Sequence, residues 1–333
     1  MTISYEDFEE KLNDLNLTDA ELAEYFIAGS DDERGLGSGI RIDPDKVDLE
    51  SSDSPRTEAA VLFGFANAIS RRRRKRRFEK SVKDDNRKIL VTEGDSWFQF
   101  PFLLDDIVDH LSKDYSVYSV GAAGDTTKNM VFTDPEFVDA IEDAEGIAGR
   151  MPDGFLFSSG GNDILGEKDG TPVFELILNE LPAGQNFDLS NAFVQQELER
   201  QLSLIRMGYR KLVEDIRKDF EELPIFFHAY DQVFPYMKNS PTDQRSGNWI
   251  QPPMEKKGIH EFEDQRAITT FLLGELVTIQ NLVANTDSNV HILTTNQPLA
   301  NDVTLWHDEI HPTSKGYGLV VEEFKSTLDR VLG

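Results

Sequence analysis

From about Lys88 onward, short apolar runs alternate with longer amphipathic stretches. The runs "KILVTEG", "YSVYSVG", "GFLFSSG", "PIFFHAY" and "NVHILTT" are rich in β-branched and aromatic residues and predict five strands. Between them, "FLLDDIVDHLSK", a segment near 133–145, "NAFVQQELERQLSLIRMGYRKLVEDIRKDF" and "DQRAITTFLLGELVTIQNLVAN" predict helices. In the first of these, Leu103, Ile107 and Leu111 recur at four-residue spacing. Strands that alternate with helices require crossovers, which predicts an α/β chain with a parallel sheet covered on both faces. Functional residues of such sheets gather beyond the carboxyl ends of the strands. The stretch from Pro235 to Glu261 breaks the pattern and reads as an excursion over the surface, or a lid.

Residues 1–85 have a different texture, helical with no convincing strand. "TDAELAEYF" places Thr18 three residues before Glu21, a capping-box signature, with Leu22 and Phe26 then on one helix face. "LGSGIRIDPDKVDLESSDSPR" reads as loop. A second helix is predicted from near Pro55 through "TEAAVLFGFANAIS" into the basic run "RRRRKRR", with Phe63 and Phe65 suggesting a buried face. The expected division is therefore a helical region over 1–85 and an α/β region over 86–333. The first part reads equally as a cap on the second, a self-association element or an adaptor for another protein.

Composition narrows the chemistry. The 333 residues carry a formal net charge of -27, which disfavours a nucleic-acid partner. There is no cysteine, so disulfides, thiolate metal sites and a cysteine nucleophile are excluded. Metal chemistry draws little support, and neither metal nor cofactor is expected. The N-terminus lacks a basic flank and an apolar stretch, and no uninterrupted apolar segment of membrane-span length is apparent; a cytoplasmic location is the expectation. Arg71–Arg77 stands out against this acidity. It reads either as a contact for an anionic partner or as a helix end that is solvated or paired with the protein's own acids.

Four segments lie on the side where such chemistry gathers: Gly94-Asp95-Ser96, "GAAGDT" at 121–126 and "SSGGND" at 158–163 at predicted strand ends, and "HDEIHP" at 307–312 beyond the last strand, just before the C-terminal helix. A serine hydroxyl needs a base to accept its proton. His311 can be that base, and Asp308, three residues earlier, can fix its tautomer. The Ser96 amide, the Gly124 amide and the Asn162 side chain are candidate donors to a developing oxyanion. Ser96 alone would read as a helix cap; the other three segments give it partners. Asp163 and Gly161 read as structural, His228 as a hydrogen-bonded core residue, and His110 as solvated.

In these blocks the chain resembles the GDSL/SGNH hydrolases: "GDS" with Ser96, "GAAGDT" with Gly124, "GGND" with Asn162 and "DEIHP" with Asp308 and His311. The resemblance covers roughly 88–333. It implies a flavodoxin-like three-layer αβα fold, Ser96 as nucleophile with Asp308 and His311 completing a triad, and an oxyanion hole from Ser96, Gly124 and Asn162. The implied activity is hydrolysis of a carboxylic ester: a small acyl ester, an acylated carbohydrate or a lysophospholipid. The chain departs from the family in Trp97 and the following "FQF", where many members carry leucine and small residues. The rival reading keeps the fold without catalysis, as a binding or signalling module that works through 71–77.

Overall fold

The computed structural model describes residues 2–14, 16–28, 40–48, 59–84, 86–168, 171–235, 249–295, 297–299 and 302–333. In chain order the N-terminal part contains β1 (Ile3–Ser4), α1 (Tyr5–Asn13), α2 (Asp19–Ala23), β2 (Phe26–Ala28), β3 (Ile40–Ile42), β4 (Val47–Asp48) and α3 (Ala59–Ser81). The rest runs β5 (Ile89–Gly94), α4 (Ile107–Leu111), β6 (Ser116–Ser119), α5 (Phe137–Ala148), β7 (Gly154–Ser158), α6 (Gly161–Leu165), β8 (Glu167–Lys168), β9 (Thr171–Pro172), α7 (Val173–Ile177), α8 (Gln195–Asp219), β10 (Ile225–His228), α9 (Gln251–Lys256), α10 (Phe262–Ala284), β11 (Val290–Leu293) and α11 (Ser314–Leu332). A π-helix at Asn129–Thr133 lies between β6 and α5.

All five expected strands form, and they pair in parallel in the order β6-β5-β7-β10-β11. This is the flavodoxin-like order, with the chain starting near the middle and reversing once. Side chains alternate across the sheet. Phe155, Phe157 and Phe227 meet Phe137 of α5 and Tyr209 of α8, while His228 meets Phe324 of α11 on the other face. Three layers result, with α5, α8 and α10 on one side and α4 and α11 on the other. Helix α10 has the length and composition to cross a membrane. Here Leu272, Leu276, Ile279 and Val283 of that helix are buried in the core.

The N-terminal region departs from its helical expectation. The capping box forms as read, with the Glu21 amide donating to Thr18 Oγ1 at 3.2 Å and the Thr18 amide donating to Glu21 Oε2 at 2.7 Å. The helix nevertheless ends at Ala23, and Phe26 belongs to β2, paired antiparallel with β3; β1 and β4 make a second small ladder. Strands of two or three residues are too short to show alternation. The start of α3 before Ala59, and the side chains of Phe63 and Phe65, lie outside the described residues.

The small core of this region holds Phe8, Leu12, Leu22, Phe26, Ile42 and Val47, and it is completed from elsewhere. Ala66 and Ile69 of α3 enter it, as do Phe100 and Phe102 from the segment after Ser96. Phe102 stacks on Phe26 at 4.8 Å and has a positive φ of 65°. That pull explains why the predicted 102–113 helix shrinks to 107–111. Further along α3, Phe78 joins the main core and packs edge-on against Tyr118 of edge strand β6.

The basic run is drawn inward. Arg71, Arg72, Arg73, Arg74, Lys75 and Arg77 all bond groups of the chain itself. Arg74 is buried and donates to the Phe98 carbonyl, to Gln99 Oε1 at 2.6 Å, to Asp106 at 2.5 Å and to Asp109 at 2.7 Å. Burial works against its charge, but Asp106 and Asp109 more than compensate and raise its pKa. Arg71 donates to the carbonyls of Val120 and Gly121 and to Glu136. Six of the seven cations of the run thus bond groups of the chain itself, while Arg72, Arg76 and Arg77 remain exposed.

Candidate active site

Ser96 sits on the turn that leaves β5. Gly94 must be glycine there, since a Cβ would lie 2.8 Å from that of Ser158 on the neighbouring strand. The Phe98 and Gln99 amides donate back to the Asp95 carbonyl at 3.0 and 2.9 Å and close the turn. Beneath it, Asp95 is buried and accepts hydrogen bonds from the Trp97 amide at 3.1 Å, Ser158 Oγ at 3.2 Å and the Tyr230 hydroxyl. Burial pushes the Asp95 carboxyl up to about 6 despite these donors.

His311 arrives on the loop between β11 and α11. Its Nε2 lies 2.7 Å from Ser96 Oγ and its Nδ1 lies 2.7 Å from Asp308 Oδ2. The other Asp308 oxygen accepts the amides of Ile310 and His311 at 2.8 and 2.7 Å. Burial works against the Asp308 charge, but His311 and these amides hold its carboxyl below the usual range. All three side chains are buried, and the edge of Phe100 closes over the imidazole at 4.8 Å. The structure therefore brings together the serine, histidine and aspartate that the sequence placed up to 215 positions apart.

Of the candidate oxyanion donors, Asn162 lines a small pocket of about 10 Å³ with Ser96 and a larger cleft of about 700 Å³ with Gly124. Gly124 has a φ of +90°, which a side chain would strain. Among the described residues no acceptor takes the amide of Ser96 or of Gly124. The Asn162 amide nitrogen donates to the Asp125 carbonyl at 2.7 Å, which uses one of its two hydrogens.

Asp163 accepts from the Thr127 amide and hydroxyl, both at 2.9 Å, and is structural as read. His110 is not solvated: it is half-buried, and its Nε2 lies 2.7 Å from the Ser314 carbonyl at the start of α11. Sequence reasoning missed three supports. Trp97, placed as a departure from the family pattern, donates its indole N–H to the Ile310 carbonyl at 3.0 Å and so ties the serine turn to the histidine loop. Tyr230 reaches back to Asp95 from beyond β10; a polar ring closing an apolar strand was the available signal. Glu309 accepts the amides of Trp249, Ile250 and Gln251 at 2.7, 2.7 and 2.8 Å, though burial still pushes its carboxyl up to about 8. This bond network holds one end of the expected lid on the loop that carries Asp308 and His311; residues 236–248 of that segment lie outside the described residues.

His228 is a core residue, as read. It is fully buried, its Nδ1 is 2.9 Å from Ser158 Oγ, and burial pulls its pKa down to about 3. An unfolded histidine takes up a proton near pH 6.5, and the folded one refuses it until about 3. Stability from this group is therefore present above 6.5 and is lost on acidification, by about 1.4 kcal/mol per pH unit. Asp95 has the opposite sign, because the folded state binds its proton near 6 and the unfolded state near 3.8. We expect His228→Gln to remove the first slope and expose the second. Urea denaturation between pH 7 and 4 should show the stability difference between wild type and variant changing by about 1.4 kcal/mol per pH unit below 6.5; parallel curves would refute the assignment.

No protein-family model and no curated protein matches the chain. Solved structures with similar coordinates include a lipase from a goat rumen metagenome, 13% identical over 72% of this chain and 96% of that one, with a TM-score of 0.43. Another is a Clostridium thermocellum family 3 carbohydrate esterase, 13% identical over 74% and 98% of the two chains, with a TM-score of 0.42. A third is an extracellular lipase from Streptomyces rimosus, 11% identical over 72% and 99%, with a TM-score of 0.42.

Proposed function

We propose that the chain is a serine esterase acting through an acyl-enzyme at Ser96. One observation carries this reading: the unbroken relay from Ser96 Oγ to His311 to Asp308, both links 2.7 Å, in a buried setting. Ser96 Oγ attacks the ester carbonyl carbon as its proton passes to His311 Nε2. The carbonyl oxygen becomes an oxyanion facing the Ser96 and Gly124 amides and the remaining Asn162 N–H. When the carbon–oxygen bond breaks, His311 returns the proton to the departing alkoxide. Water then gives a proton to His311 and adds to the acyl-enzyme; the carboxylic acid leaves, and the serine is protonated again. Asp308 stays charged throughout, holding the imidazole with Nε2 toward the serine and stabilising the imidazolium. No cofactor enters this scheme.

A module that works through its basic helix draws little support from cations bonded internally. The test is covalent. A fluorophosphonate should modify Ser96, identified by mass spectrometry of the labelled peptide, and His311→Ala should abolish the labelling. A wild-type protein that is folded yet unlabelled at Ser96 would overturn the proposal.

A further inference from the structure

Helix α3 precedes the stretch that resembles the hydrolases, yet three of its residues grip the loops of the proposed site. Asn67, Arg71 and Arg74 fall at i, i+4 and i+7 and so share one helix face. Arg74 holds the Phe98 carbonyl just after the nucleophile, and Arg71 holds the carbonyls of Val120 and Gly121. Asn67 is buried and exchanges two hydrogen bonds with the backbone of Ala123. Its Nδ2 donates to the carbonyl and its Oδ1 accepts the amide, both at 3.2 Å.

The Ala123 carbonyl belongs to the same peptide group as the Gly124 N–H. A trans peptide is planar, with its C=O and N–H pointing opposite ways, so a bond that fixes one fixes the other. The neighbouring amides are already engaged. That of Ala122 donates to the Gly94 carbonyl at 2.8 Å, that of Ala123 to Asn67, and that of Asp125 to the Ala122 carbonyl at 3.2 Å. Gly124 alone of these four keeps its N–H without an acceptor among the described residues. Glycine tolerates φ of either sign, and the grip of Asn67 on the carbonyl stops this peptide from turning over. We infer that Asn67 is a positioning residue for ester hydrolysis, aiming the Gly124 N–H at the developing oxyanion through the Ala123 carbonyl. The inference rests on the esterase reading and makes α3, from outside the hydrolase-like stretch, part of what sets the oxyanion hole.

Asn67→Leu removes both bonds at similar volume, and Asn67→Ala removes them in case the first variant fails to fold. Losing an oxyanion donor outright costs roughly 10²- to 10³-fold in kcat, and a donor kept but no longer held should cost about 10- to 100-fold. Hydrolysis of p-nitrophenyl acetate is followed for each variant, with active sites counted by labelling Ser96 to completion with a fluorophosphonate. We expect kcat per labelled site to fall by that factor while KM stays within about twofold of wild type, because the contact is made in the transition state. A side chain that merely supported the fold would lower the number of labelled sites and leave kcat per site alone. Wild-type kcat per labelled site in either folded variant, or a loss carried by KM alone, would overturn the inference and leave the esterase standing. Wild-type protein with neither ester turnover nor labelling at Ser96 would remove the esterase reading and this inference with it.

Discussion

Alanine at position 96 is expected to lower ester turnover by roughly 10⁴- to 10⁶-fold while leaving the fold intact. The loss is large because nucleophile and base act as one unit across a 2.7 Å contact. His311→Ala should cost about as much, and the double variant little more than either single one. Asp308→Asn should be milder, roughly 10⁴-fold, because the aspartate orients and supports the imidazole without bonding to substrate. Initial rates with p-nitrophenyl acetate, alongside thermal melting of each variant, make the comparison. Wild-type rates in the Ser96→Ala protein would end the proposal, and strictly multiplicative losses would show that the residues do not work together.

The second large effect concerns stability. Arg74→Met should destabilise the protein by about 3–5 kcal/mol, the usual cost of removing one partner from a buried ion pair. The variant leaves Asp106 without its guanidinium and Asp109 with only that of Arg77 at 2.9 Å, and it frees the carbonyl of Phe98 two residues after Ser96. Arg74→Lys should recover part of the loss, since an ammonium keeps the charge without the planar fork. By contrast, Arg72→Gln, at an exposed position, should stay within about 0.5 kcal/mol of wild type. Urea denaturation of the three variants would show it; equal midpoints would mean that the buried network adds nothing.

These two cases mark how far the sequence could be read. Ser96, Gly124 and Asn162 were legible because each sits in a short polar block soon after a strand, and Asp308 and His311 because theirs lies between the last strand and the C-terminal helix, on the side where a parallel sheet collects its chemistry. The strands themselves announced their ends to within a residue or two through β-branched and aromatic runs. Arg74 was not legible. Its neighbours Arg72 and Arg76 are exposed while it is buried, and nothing within the run says that Asp106 and Asp109 will fold against it. Phe102 failed for a related reason. Local spacing put it on a helix, but stacking on Phe26 holds it in a left-handed turn, and tertiary contact overrides local preference.

Phe100 has one ring edge over His311 while it is buried in the small N-terminal core. A gene trimmed to begin at codon 86 would therefore not yield a leaner catalyst. It would strip the cover from two phenylalanines and orphan a pair of carboxylates, and the shortened product should collect in inclusion bodies.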